Sequence, residues 1–266
     1  MQQDAAYTGL IPEIYDRYLG PMLFAPYAAD IAERAKVLRP KRVLEIAAGT
    51  GIVTDALARA LPDASIEATD LNQAMVDFAS SRRAHANIRW SAADAQALPF
   101  EDKSFDLAVC QFGAMFFPDR AKAFREARRV LKDGGTYIVS LWEGLDRNDV
   151  PRIVSNAAMS IFPDDPPLFL RRTPYGHGDP VGIEKDLRSA GFSNVACDRV
   201  EKRGLSPSSL AAASGFVEGT PLRFEIEARD ARRLQDVLEA STRALDKMYG
   251  GGTVDGLISA FVFTAS

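Results

Sequence analysis

The chain is predicted to fold as an α/β domain: a seven-stranded, mostly parallel sheet with helices on both faces and an antiparallel last strand. Three observations lead there. Short apolar runs alternate with helical patterns between residues 42 and 142. The first run ends in "EIAAGTG", a turn of small residues. The second and third end near acidic residues, Asp70 and Asp94, on the side where open α/β sheets bind ligands.

The elements follow in order. "PEIYDRYLG" reads as a short helix, with Pro12 in its first turn and Gly20 at its end. "YAADIAERAKVL" spaces Ala28, Ile31, Ala32, Ala35 and Leu38 as a helix face. "RVLEIA" is a buried strand, and "GIVTDALARAL" a helix stopped at Pro62. "SIEATD" is the second strand and "NQAMVDFASSRR" its helix; "NIRWSAAD" and "FDLAVCQF" are the third and fourth strands. "RAKAFREARRVL" is a helix ended by Gly134 and Gly135, and "TYIVSLW" the fifth strand. Right-handed crossovers then leave little topological freedom.

Past Trp142 the pattern changes. Residues 144–180 carry "DDPP" and "RRTPYGHGDP" and are expected to be irregular, as a lid or binding loop would be. "GIEKDLRSAGF" resumes as a helix and "NVACDRVEK" as a strand. A long polar-faced helix over about 228–249 precedes the strand "GLISAFVF". The last two strands are expected to pair antiparallel at one sheet edge.

Composition narrows the function. The 266 residues are 47% hydrophobic and 26% charged, with net charge −4, which suits one large globular domain or a domain with an insertion. Basic residues come as isolated pairs (Arg82-Arg83, Arg128-Arg129, Arg171-Arg172, Arg232-Arg233) rather than as a stripe, so a nucleic-acid partner is not expected. Two cysteines are too few for a disulfide framework and suit a reducing cytoplasm. The start, "MQQDAAYTGLIPEIYDRYLG", carries acids and no apolar core, so it is not expected to be a signal peptide. No apolar stretch is long enough to span a membrane. The expectation is a cytoplasmic protein without membrane partner or metal.

"EIAAGTG" offers no nucleophile. Gly49 and Gly51 permit a tight turn and close backbone approach to a ligand, and the helix that follows begins with unpaired N–H groups. Asp70 stands about 20 residues on, where an acid meets ribose hydroxyls. That spacing is common to nicotinamide and S-adenosylmethionine (SAM) enzymes. Three features separate them. "GTGIVT" puts Thr54 where a dinucleotide fingerprint has its third glycine. Asp94 gives a second acid near the adenine end. The Tyr-x-x-x-Lys pair of short-chain hydride transfer is missing.

At this point the chain resembles the class I SAM-dependent methyltransferases, and within them the small-molecule group that includes the quinone-biosynthesis C-methyltransferases. The matching stretches are "VLEIAAGTG", "ATDLNQAMVDFA", "AADAQALPFEDKSFDLAVCQFGAMFFPD" and "EARRVLKDGGTYIVSLW". One departure is visible: Ala47 stands where the family pattern E-x-G-x-G-x-G has its first glycine.

The resemblance implies a Rossmann-like sheet and four regions: an N-terminal helical cover (1–40), a SAM-binding core (41–143), a lid or acceptor-binding insertion (144–180), and the C-terminal part of the sheet with its helices (181–266). It also implies positions. Glu45 would sit near the methionine ammonium, with the backbone of Ala47, Gly49 and Gly51 beside the amino-acid part. Asp70 would hold both ribose hydroxyls, Leu71 would pack on adenine, and Met75 would lie nearby. Asp94 would accept from the adenine amino group while the Ala95 N–H faces a ring nitrogen. Gln111 would meet the ammonium through its carbonyl, with Phe112 and Met115 beyond. Tyr18, on the N-terminal helix, would fold over the cofactor. For Leu71 and Met75 simple core packing is the alternative, and for Glu45 a loop acceptor.

A sulfonium makes its methyl electrophilic unaided, so the protein mainly positions the acceptor for in-line displacement. The expected function is methyl transfer to a small molecule through O, N, S or C, with S-adenosylhomocysteine (SAH) as product. Tyr15, Met115, Phe116, Arg171 and Tyr175 are the candidate acceptor-pocket residues. His177 is the candidate base or acceptor contact, with an exposed loop histidine as the alternative; His85 reads as a solvated helix end. The competing readings are a non-catalytic SAM- or SAH-binding module, a macromolecular methyltransferase and a nicotinamide-dependent oxidoreductase. The acceptor and the oligomeric state stay open.

Overall fold

The computed structural model describes residues Gly9–Ser266. The first eight residues, part of the expected helical cover and of the segment expected not to be a signal peptide, lie outside the described residues. The described residues open with a single turn, α1 (Ile11–Ile14), and a ten-residue π-helix, Tyr15–Phe24, which runs directly into α2 (Ala25–Leu38). The helix expected to end at Gly20 therefore continues through Gly20 and Pro21. Pro21 has no N–H to give, and the backbone takes the wider register: the Ala25 N–H bonds to the Gly20 carbonyl, five residues back. Burial of Leu19, Met22 and Leu23 holds that register in place.

The alternating region follows the expected order: β1 (Arg42–Ile46), α3 (Ile52–Ala60), β2 (Ser65–Asp70), α4 (Gln73–Arg82), β3 (Ile88–Ala92), β4 (Phe105–Gln111), α5 (Arg120–Val130) and β5 (Leu131–Trp142). Asn72 and Asp119 cap α4 and α5 by accepting the Ala74 and Lys122 N–H groups. Residues 144–180 differ from expectation. They hold the 13-residue helix α6 (Asp149–Ile161) and the turn α7 (Phe169–Arg172). Pro151 does not break α6, because it sits in the first turn, where no intrahelical N–H is needed.

Next come α8 (Pro180–Ser189), β6 (Val195–Ser206), α9 (Ser209–Val217), α10 (Leu222–Asp230), α11 (Leu234–Tyr249) and β7 (Val254–Ala265). The helix expected over about 228–249 is two helices. Asp230 takes the Arg232 N–H with its side chain, ending α10 in a short 3-10 turn before α11 starts.

The sheet has seven strands in the order β3-β2-β1-β4-β5-β7-β6. Strands β2, β1, β4 and β5 pair in parallel, with Glu45 opposite Val109 and Gln111 opposite Ser140. β7 runs antiparallel to β5, Trp142 facing Ala260, and separates it from β6. The order reverses beside β1, which puts the ends of β1 and β4 at the switch point. The expected α/β sheet with an antiparallel last strand is the observed one.

By internal contacts the chain divides into two compact units. One comprises residues 27–142, 178–200 and 260–266. Its core joins Ile31 and Ala35 of α2, Val53 and Leu57 of α3, and Val43, Ile66, Val109, Ile138 and Val262 of the strands. The other comprises residues up to 26, 143–177 and 201–259. There α9 is buried almost throughout, and it packs on the π-helix and on α11. A Cβ on Gly215 would come within 2.6 Å of Leu19, so the close approach of α9 and the π-helix needs a glycine. Among the described residues no helix is long and apolar enough to cross a membrane.

Candidate functional site

β1 delivers Glu45 into the interior, 2% exposed, and the chain then turns sharply. Ala47, Gly49 and Gly51 all take positive φ (58°, 56° and 80°), a region that costs an alanine roughly 1–2 kcal/mol and a glycine little. The Ala48 N–H bonds to the Thr69 carbonyl and the Gly51 N–H to that of Ala48, so the turn is anchored to β2. A Cβ on Gly51 would lie 2.7 Å from Trp90, whereas one on Gly49 would meet nothing within 4 Å. Gly51 is thus a packing requirement, and Gly49 faces open space.

Burial without compensation governs Glu45. Its Oε2 has no hydrogen-bond partner, and neither has the buried hydroxyl of Thr50. Desolvation pushes the Glu45 carboxyl up to about 8, a hydrogen bond from the Thr54 hydroxyl acting the other way and the nearby Asp70 adding to the rise.

Asp70 ends β2. Its Oδ2 accepts the Gly49 N–H at 2.9 Å and its Oδ1 the Asn72 N–H at 2.9 Å. Burial raises its pKa, and these two bonds act against the rise. Each oxygen keeps a free lone pair for a further donor. Leu71, the next residue, is 66% exposed, an apolar side chain in the open beside a half-buried acid; Met75 is buried. After β3, Asp94 accepts the Gln96 N–H at 2.8 Å and the Gln96 Nε2 at 3.2 Å through one oxygen, and Ala95 is buried.

Gln111 is buried at the end of β4. Phe112, with φ 56°, follows it and donates its N–H to the Ser140 carbonyl. The Phe112 ring stacks on Trp142, centroids 3.7 Å apart and planes 4° off parallel, and Tyr27 meets both rings edge-on. This cage fixes a backbone conformation rare for a phenylalanine. Met115 is buried in the 3-10 turn Ala114–Phe116, and Phe116 is half-buried.

One unit therefore holds Glu45, Ala47, Gly49, Gly51, Asp70, Leu71, Met75, Asp94, Ala95, Gln111, Phe112, Met115 and Phe116. The other holds Tyr15, Tyr18, Arg171, Tyr175 and His177. Tyr15 stacks on Phe24 at 4.7 Å, and the Arg17 guanidinium lies over the Tyr18 ring. Arg171 donates to Ser155 Oγ at 3.2 Å and to Asn156 Oδ1 at 2.7 Å, and Arg172 pairs with Glu225 at 2.9 Å. Tyr175 is buried and His177 half-buried. His85, expected as a solvated helix end, instead contacts Asp55 at 2.8 Å.

Sequence reasoning missed Ser140, whose buried hydroxyl has no partner, as well as Trp142 and Gly113. Strand pairing and ring stacking reveal these residues, and neither is visible in one dimension. Thr54 did leave a signal, as the misfit to a dinucleotide fingerprint. Among the described residues no three His, Cys, Asp or Glu side chains are grouped to hold a metal.

Residues 44–139 match the family model described as "Methyltransferase domain". A ubiquinone/menaquinone biosynthesis C-methyltransferase from Idiomarina loihiensis is 37% identical over 173 residues, which is 60% of this chain and 69% of that protein. The chain belongs to the class I SAM-dependent methyltransferases. A demethylmenaquinone methyltransferase from Thermotoga maritima is 34% identical over 132 residues, 48% of this chain and 57% of the relative. This methyltransferase chain thus spans 57% and 69% of those relatives' lengths. The solved YcgJ protein from Bacillus subtilis, 20% identical, shares the fold at a TM-score of 0.57 over 90% of this chain and 97% of its own.

The family implies SAM, and this methyltransferase's residues fit it. The partnerless Glu45 oxygen suits an ammonium, the open side of Gly49 leaves room for an amino-acid backbone, and the exposed Leu71 suits a base face.

Proposed function

We propose that the protein transfers a methyl group from SAM to a small-molecule acceptor, releasing SAH. The observation that carries this reading is Glu45: a fully buried carboxyl with one oxygen unpaired, beside a turn of three positive-φ residues and next to Asp70.

In this reading the bound sulfonium supplies an electrophilic methyl carbon, and the chain supplies placement. Glu45 takes the ammonium, with the backbone of Ala47 and Gly49 and the Gln111 carbonyl beside the amino-acid part. Asp70 uses its two remaining lone pairs for the ribose hydroxyls, each charge-assisted bond being worth ~1.5–3 kcal/mol. Leu71 packs on adenine with Met75 nearby, and Asp94 and Ala95 read its edge. Alignment alone can supply ~7–11 kcal/mol of barrier reduction. Bound SAM would supply the methyl carbon to the acceptor's electron pair, its sulfur leaving as the thioether of SAH, and an acceptor proton would pass to water or to a side chain. Met115 and Phe116 are the acceptor-side contacts proposed beyond β4. Tyr15, Tyr18, Arg171, Tyr175 and His177 stay candidates in the other unit, to be tested one at a time for changes in KM.

The net charge and the scattered arginine pairs support a small acceptor over a nucleic acid. The relatives' names make demethylated quinones the first acceptors to try. A cytoplasmic setting is part of the same proposal. Titration calorimetry with SAM and SAH tests the binding step, and no heat at sub-millimolar ligand would remove the proposal's basis. Incubation with methyl-labelled SAM and a metabolite extract tests the transfer. Binding without any labelled product would favour a SAM-sensing module.

A further inference from the structure

The loop that carries Asp94, residues 93–104, contains no helix or strand. Its first link is the Ala93 N–H on the Asp70 carbonyl, and its last are the Lys103 and Ser104 N–H groups on the carbonyls of Arg129 and Val130. Between those ends one side-chain pair from α5 holds it. The Arg129 Nε and Nη2 grip both oxygens of Glu126, at 2.7 and 2.8 Å. Nη2 also donates to the Leu98 carbonyl at 2.9 Å, and Nη1 to the Phe100 carbonyl and to Asp102 Oδ1, both at 2.7 Å. All five N–H groups of the guanidinium are engaged. Glu126 Oε2 accepts the Leu98 N–H at 2.8 Å. The pair therefore holds Leu98 by both its backbone groups, as a neighbouring strand would.

Leu98 directly follows the turn that bears Asp94. The Ala97 N–H closes that turn on the Asp94 carbonyl, and Gln96 binds the Asp94 carboxylate by backbone and side chain. Gln96 Oε1 in turn accepts the Asp119 N–H at 3.0 Å, at the start of α5. Both ends of α5 thus reach the same turn.

We propose that Arg129, acting with Glu126, is a positioning residue for adenine recognition: it sets the place of the Asp94 carboxylate without touching cofactor. This rests on the reading that Asp94 accepts from the adenine amino group. A network serving stability alone would change the melting temperature but not the choice between bases. A positioning network changes that choice, because a misplaced carboxylate no longer rewards an amino donor or repels a carbonyl oxygen.

The test compares SAH with S-inosylhomocysteine, in which a carbonyl oxygen replaces the adenine amino group, by calorimetry on the full chain. Wild type should prefer SAH, and Asp94→Asn should reduce that preference. Arg129→Lys keeps the charge but cannot form the two-pronged bond to Glu126. It should weaken SAH by about 10-fold and the inosine analogue much less. The double variant should discriminate no worse than Asp94→Asn alone. If Asp94→Asn reduces the preference while Arg129→Lys leaves it at the wild-type value, or if the two losses multiply, the positioning role is wrong and the adenine-site reading stands. If Asp94→Asn leaves the preference intact, the reading of Asp94 fails, and this proposal with it. Should Arg129→Lys not fold, Glu126→Gln breaks the same clamp from the other side and carries the same expectations.

Discussion

The methyl group of Ala47 lies where a side chain on Gly113 would have to go: a Cβ built on Gly113 falls 2.4 Å from the Ala47 Cβ. The two residues follow β1 and β4, the strands at the switch point. Where the family pattern has its first glycine, this chain carries a methyl, and a glycine on the adjoining turn makes room for it. The methyl points toward the β4 turn.

A double-mutant cycle tests that fit. Gly113→Ala should cost about 1–3 kcal/mol in denaturant unfolding, from overpacking against Ala47. In an Ala47→Gly background the cost should shrink by at least ~1 kcal/mol, the scale of coupling between residues in contact. It should not vanish, because the new Cβ would still sit 3.0 Å from Cys110 Sγ. Additive losses would show that the two turns do not compete for one space.

Asp70→Ala removes the group that ties Gly49 and Asn72 and that is proposed to hold the ribose. Affinity for SAM should fall between several-fold and ~100-fold, the range for one or two charged hydrogen bonds. Calorimetry on a variant with an unchanged circular dichroism spectrum measures it, and wild-type affinity would mean the sugar lies elsewhere.

Glu45 should leave a mark on the pH dependence of stability. Its folded-state pKa is raised from 4.5 to about 8, so the folded protein holds a proton that the unfolded chain releases over that interval. The stability that proton confers is complete below pH 4.5 and is lost as pH rises through about 8. The charged group facing Glu45 is Asp70, which strengthens the effect. Wild type should therefore lose stability relative to Glu45→Gln between pH 5 and pH 8, by urea unfolding at several pH values. A constant difference would mean that Glu45 is already ionised. Binding of a cation should release the proton, which calorimetry in buffers of different ionisation enthalpy detects.

Trp142 should matter beyond its bulk. Trp142→Ala deletes the partner of the Phe112 stack and should cost about 3–5 kcal/mol. Trp142→Phe keeps an aromatic face and should cost less than half of that. If the stack holds Phe112 in its left-handed conformation, SAM affinity should follow the same order in calorimetry. Equal affinities in both variants would separate the stack from the site.

The sheet was legible because β1, β4 and the latter part of β5, buried on both faces, read as apolar runs, and because acids stand where the shorter second and third runs stop. Asp70 and Asp94 could be placed from that punctuation alone. α6 was hidden by Pro151 and by the prolines that follow the helix, since a proline's place in a first turn cannot be told from its presence. β7 enters between β5 and β6, a choice that no local pattern carries. Ala47 was visible as a departure, but its counterpart Gly113 is more than sixty positions along the chain. Arg129 resembled any exposed arginine of an amphipathic helix until the loop it grips was folded beside it.

The π register of residues 15–24 has a genetic consequence. A segment wound this wide carries surplus chain, and losing one codon there would let it tighten into an ordinary α-helix without breaking its hydrogen bonding. Every side chain upstream of the deletion would then swing by roughly 100° about the axis relative to those downstream. Single-residue deletions between Tyr15 and Phe24 should therefore be more damaging than conservative replacements at the same codons, and the spacing between Tyr15 and Leu23 should tolerate no change in length.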